Sequence, residues 1–90
     1  MRYRLPDKAP EETIKGLWID FKNKLLTDEV IVSATVTASN AAVAQNIQHG
    51  DTRITWDASG GTSGEIVLFA VTATGSMGSI REAEAIMFIK

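Results

Sequence analysis

The sequence predicts an all-β domain: an Ig-like antiparallel β-sandwich of about six to seven strands, with an extended N-terminal arm. Three observations carry this. Short runs alternate between apolar and polar residues, the period of a strand with one face buried and one face wet. Clusters of Gly, Asp, Asn and Ser cut those runs roughly every ten residues, a turn spacing typical of sandwiches. Ninety residues, 44% of them hydrophobic, make one domain with a modest core, since a chain of this size buries roughly 60–70% of its unfolded surface.

Residues 1–16 read as the arm, because Pro6 and Pro10 each remove a backbone donor and bias the residue before them toward extended geometry. Residues 10–15 could close one helical turn, with Pro10 at its first position, Glu11 and Glu12 in its first turn and Gly16 ending it. Residues 17–90 are then a single sandwich domain. The first strand is predicted over 17–21, with Leu17, Ile19 and Phe21 on one face and Trp18 on the other. Lys22, Asn23 and Lys24 break the pattern, and 25–28 form a connection with an apolar plug. In the strand at 29–38, Val30, Val32, Ala34, Val36 and Ala38 point one way and Ser33, Thr35 and Thr37 the other.

Ser39 and Asn40 mark a turn. Residues 41–47 would tolerate a helix, but the run is short, Val43, Gln45 and Ile47 alternate, and strand signals lie on both sides, so a strand is predicted. His49, Gly50 and Asp51 turn the chain into a strand at 52–56, where Thr52, Ile54 and Trp56 share a face and Trp56 reads as core. Residues 57–64 hold three glycines and read as the strongest break on the chain. A long β-rich run at 65–74, a turn at 75–78 and a last strand at 79–90 complete the domain. That last strand sets Ala83, Ala85, Met87 and Ile89 against Ile86 and Phe88.

Composition excludes several function classes. Without cysteine there is neither a disulfide scaffold nor a thiolate zinc site, which fits a reducing compartment. A net charge of −2 offers no basic excess for nucleic acid or an anionic membrane. No apolar run approaches the roughly 20 residues that span a bilayer. Arg2 and Arg4 are followed by Pro6 and Asp7 rather than by a signal-peptide core.

The search for chemistry assigns no catalytic residue, no cofactor-binding residue and no metal ligand. His49, the only histidine, is the one candidate base for a nucleophile, and it lies in a turn context where an exposed role is expected. Asp20, Asp28, Glu29, Asp51 and Asp57 form no Asp-x-Asp-x-Asp loop for calcium, which takes roughly six to eight oxygen ligands, and they read as turn and edge residues. Glu82 and Glu84 read as a solvated strand face rather than a glycosidase pair. The Gly-rich run at 59–64 lacks the Lys and the following helix of a phosphate loop.

What remains is a surface for a partner. Ile66-Val67-Leu68-Phe69-Ala70-Val71 and Ile86-Met87-Phe88-Ile89 are apolar on both faces, more than a two-layer domain of this size can cover. With the out-of-phase Trp18, these runs place the expected partner interface at Trp18, Val67, Phe69, Val71, Ile86 and Phe88.

The motifs also resemble a known family. Leu17-Trp18-Ile19-Asp20-Phe21, then Leu25, Asp28 and Val30, is similar to a pattern of aromatic, x, Ile-Asp-Trp, then Leu, then Asp-x-Ile in small tailed-phage structural proteins. Lys8-x-Pro10-x-Glu12 resembles the Lys-x-Pro-x-Glu that often precedes it. Ser59-Gly60-Gly61-Thr62-Ser63-Gly64-Glu65 is similar to its Ser-Gly-Gly-Thr-x-Gly-Glu hairpin, and Val71-Thr72-Ala73-Thr74 to the Thr-rich strand that follows. The chain departs from the pattern at Phe21, where Trp is usual, at Lys24, another common aromatic position, and at Gly78-Ser79-Ile80-Arg81, where Gly-Arg is usual.

The colinear set resembles the Ig-like phage fiber-tail adaptor family. The resemblance implies a non-enzymatic virion structural protein that docks on the tail or neck and helps attach tail fibers. It implies several symmetric copies contacting other virion proteins (tail, connector or fiber subunits), with no cofactor, nucleic acid or membrane, made in the host bacterial cytoplasm. A capsid decoration or adhesion module of the same sandwich type is the alternative. The arm is the next expected docking element, and deleting residues 1–12 is expected to leave a folded domain but to weaken assembly.

Overall fold

The alternating runs become seven strands. The computed structural model describes residues 2–90, with side chains from Tyr3 onward; Met1, at the start of the expected arm, lies outside the described residues. The strands are β1 (Arg2–Arg4), β2 (Ile14–Asp20), β3 (Ile31–Ala38), β4 (Ala42–His49), β5 (Arg53–Gly60), β6 (Ile66–Gly75) and β7 (Ile80–Phe88), with one 3-10 turn at Lys22–Lys24. They form a four-stranded sheet ordered β1-β7-β6-β3 and a three-stranded sheet ordered β2-β5-β4. This is an Ig-type sandwich order in which the first strand has joined the sheet of the last.

The core lies between the sheets. Ile19, Ile54, Trp56 and Ala58 of the small sheet meet Val67, Phe69, Val71, Ala85 and Met87 of the large one, all of them buried. The Trp56 and Phe69 rings lie 5.7 Å apart at 49°, a tilted contact of the kind that aromatic quadrupoles favour. Phe21, just past β2, closes one end of this core.

Four details differ from the sequence reading. The residues expected as an extended arm run along β7: β1 pairs with it in parallel, Arg2↔Glu84 to Arg4↔Ile86, the one parallel pairing between strands of the sandwich among the described residues. Beyond it the Leu5 amide donates to the Ile86 carbonyl at 2.8 Å, and Leu5 enters the core. No helical turn forms at 10–15; Ile14 and Lys15 already belong to β2, bulged before Leu17.

In β3 a bulge between Ile31 and Ser33 shifts the phase, so Ile31 is buried and Val32 is 55% exposed, the reverse of the simple alternation. Finally, 57–60 is strand rather than turn. Ala58 is wholly buried and pairs with Ala44, and only 61–65 connect the sheets. Gly61 there has φ of +98°, and a β-carbon on it would come within 3.0 Å of the Ile89 side chain.

Candidate docking surfaces

Period two sends every second residue of β6 and β7 away from the core. On the outer face of the large sheet, Ile66 stands opposite Phe88 and Leu68 opposite Ile86. Arg4 is in register with Ile86, and its guanidinium carbon lies 4.0 Å from the centre of the Phe88 ring. Ile66 is half exposed, and Leu68, Ile86 and Phe88 are partly so. Toward the other end of the same face the row becomes polar: Ala70 with Glu84, then Thr72 with Glu82. The apolar patch therefore occupies one end of the face, with Arg4 across it and an acidic strip beside it.

A second surface lies on the outer face of the small sheet. Trp18 pairs with Thr55, is 51% exposed, and carries the Arg53 guanidinium 4.0 Å above its ring. Arg53 also reaches Asp20 at 4.0 Å. A flat aromatic stacked by Arg suits a contact that buries apolar area while keeping a polar handle.

The six residues expected at the interface therefore separate. Trp18 lies on one outer face; Ile86 and Phe88 lie together on the other. Val67, Phe69 and Val71 have no exposed surface at all, because they face the small sheet. The residues that share the outer face with Ile86 and Phe88 are Ile66 and Leu68, which the sequence reading passed over. The sequence holds one pointer without deciding the matter: Thr72 and Thr74 share the phase of Ala70, Leu68 and Ile66, but Thr packs on either face of a strand.

Two polar side chains lock the loops. Glu29 is nearly buried between the β2–β3 connection and the β6–β7 turn. Its Oε1 accepts the Leu26 amide at 3.0 Å, and its Oε2 accepts those of Met77 at 2.9 Å and Ser79 at 3.2 Å. The Leu26 hydrogen bond above all holds the carboxyl pKa below its ordinary value; the Ser79 and Met77 bonds add to this and burial opposes it. Gly75 makes room: a β-carbon there would collide with the Glu29 carboxylate.

At the other end Lys8 is completely buried, its Nζ donating to the carbonyls of Ala9 (2.7 Å) and Pro10 (3.2 Å). Glu12 accepts the Ala9 amide through Oε1 at 2.6 Å, while its own amide donates to the Ala9 carbonyl. The Lys-x-Pro-x-Glu pattern is thus a self-contained turn that satisfies a buried ammonium. The Lys8 backbone also brackets the chain end, donating to Phe88 and accepting from Lys90.

His49 is exposed at the end of β4 with Nδ1 3.0 Å from the Gly50 carbonyl. Among the described residues no group of three or more His, Cys, Asp or Glu is placed to hold a metal ion, and no helix is long and apolar enough to cross a membrane.

A sandwich with two outward surfaces and a Lys-Pro-Glu turn at its rim is the setting for the comparison with known families. Residues 8–88 match the family described as podophage GP4 fiber-tail adaptor protein gp77, which takes in most of the chain. The chain belongs to this family. No curated protein matches it. The matched span begins at the buried Lys8 and ends at Phe88, so it includes both loop locks and all of β2 to β7. Membership makes the adaptor a phage tail protein, implies contacts with other virion proteins and a place in the virion, and speaks against an enzyme.

Proposed function

We propose that this adaptor is a non-enzymatic virion component that docks on the tail or neck, in several symmetric copies, and helps attach tail fibers. The observation that carries the reading is the family match over residues 8–88. The apolar patch of Ile66, Leu68, Ile86 and Phe88 supplies a surface for it. A partner that covers this patch removes apolar area from water at about 25 cal/mol per Å², and the flanking Arg4, Glu82 and Glu84 can set its orientation. Trp18 with Arg53 offers a second contact on the opposite face, so that one copy can bridge two virion proteins. The domain is made without cofactor or metal, in the host bacterial cytoplasm.

The test is incorporation. Particles assembled with Ile66→Lys or Trp18→Ala in the full chain should carry less adaptor and fewer fibers than wild type, while the purified variants keep their thermal transition. Particles made without this chain that retain all their fibers, or a particle map with no density for it, would overturn the proposal.

A further inference from the structure

The outer face of the large sheet is a ladder of rungs. Ile66 stands opposite Phe88, Leu68 opposite Ile86, Ala70 opposite Glu84 and Thr72 opposite Glu82. Each rung lies two residues, about 6.7 Å, beyond the last. The first two rungs are the apolar patch, and the next two turn acidic. At the third rung Ala70 offers only a methyl group. Beside it lies a hollow of about 210 Å³, lined by Ala70, Glu82, Ala83 and Glu84.

Three observations say what fits this hollow. Its size is one. Pockets that enclose a small molecule run to about 300–1,000 Å³, so this one takes the head of a side chain. Its charge is another. Glu82 and Glu84 are both exposed on the same face of β7, and no ion pair holds the Glu82 carboxylate among the described residues. Two cations near this face are engaged elsewhere: Arg4 pairs with Asp7 at 2.8 Å, and the Lys24 Nζ donates to the backbone carbonyl of Glu82 at 3.2 Å. The third is position. The hollow begins one rung beyond Leu68 and Ile86, so a segment that covers the apolar patch and continues along the ladder passes over it.

We propose that patch and hollow together receive an apolar segment of another virion protein that carries an arginine, whose guanidinium enters beside Ala70 between the two carboxylates. This rests on the reading of the patch as a docking surface. Desolvation selects the cation. A neutral or acidic segment laid over the third and fourth rungs would strip water from two carboxylates and return nothing to them. A guanidinium presents five donors in a planar fork, enough to serve both carboxylates at once, where lysine brings a single compact charge. It also screens the two like charges from each other, and the apolar part of the segment keeps water away, which strengthens the attraction.

Binding of the purified full chain to particles assembled without it tests this. Glu82→Gln should weaken binding about tenfold or more and flatten its dependence on salt. Ala70→Leu is the sharper variant. It adds apolar surface, which a purely apolar contact would welcome, but it fills the hollow, so it too should weaken binding about tenfold or more. Both positions are exposed, and both variants should melt like wild type. Benzoylphenylalanine in place of Thr72, irradiated in assembled particles, should cross-link a segment that holds an arginine among apolar residues. If Ala70→Leu binds as well as wild type while Ile66→Lys does not, the proposal is overturned and the tail-adaptor reading stands. A cross-linked segment without arginine overturns it equally. If Ile66→Lys also binds normally, the patch is no interface and the proposal falls with it.

Discussion

Phe69 and Phe88 look equivalent in the sequence, each an aromatic in a doubly apolar run, and the structure gives them opposite jobs. Phe69 has no exposed surface and packs on Trp56 at 5.7 Å, whereas Phe88 lies on the outer face beneath Arg4. Truncating Phe69 to Ala removes a buried ring, leaves a cavity and breaks an aromatic pair, together about 3–5 kcal/mol. In a domain of this size each kcal/mol moves the melting midpoint by about 4–8 °C, so a fall of roughly 12–40 °C is expected. Phe88→Ala forfeits only partial burial and an exposed cation–π contact, about 1–2 kcal/mol, or roughly 5–15 °C.

Thermal and urea unfolding of both variants, followed by circular dichroism, checks this. Phe69→Leu, which keeps most of the volume, serves if Phe69→Ala does not fold. A Phe69→Ala midpoint within about 5 °C of wild type, or equal losses at the two positions, would refute the assignment of inward and outward faces.

Two further expectations follow. Glu29 has a pKa held below its ordinary 4.5, so its contribution to stability is complete above that value and is lost as pH falls through the lower folded value. Glu29→Gln should therefore melt below wild type at neutral pH, and the gap should narrow below pH 4.5; a gap that widens in acid would contradict the lock. Deleting residues 1–12, expected from the sequence to leave a folded domain, carries a stability cost. It removes Leu5 from the core, worth about 1.5–3 kcal/mol, and strips β7 of its parallel partner, so the midpoint should drop by roughly 10 °C or more. A deletion that melts like the full chain would show that β1 is only loosely held.

Within a strand, position alone dictates direction, and this is why so much of the fold was legible. Alternation put Leu17 with Ile19 on one face and Ala83, Ala85 and Met87 together on another, Trp56 reads as core, and all six are buried. Strands at β2, β3, β4, β6 and β7 follow from runs of apolar and β-branched residues between breakers. The Lys8, Pro10 and Glu12 pattern and the Gly-rich hairpin were visible as family marks, and the match over residues 8–88 agrees with them.

The failures share one cause: a backbone decision that side-chain type does not record. A bulge consumes one residue and reverses the phase, so Val32 turned outward and Ile31 inward. In β6 both phases are apolar, so composition could not say whether Val67, Phe69 and Val71 or Ile66, Leu68 and Ala70 face the core; only the facing sheet, with Trp56 seated on Phe69, decides it. The N-terminal residues read as an extended docking arm because prolines and charges are hard to bury alone, yet β7 offers them an open edge, and the Lys8 ammonium donates to two carbonyls of the turn it begins. By itself the sequence determined the class of fold, most of its strands and its family, because those depend on local period and residue order. Which apolar face is core and which is left for a partner depends on pairing between distant strands, and that only the tertiary structure decided.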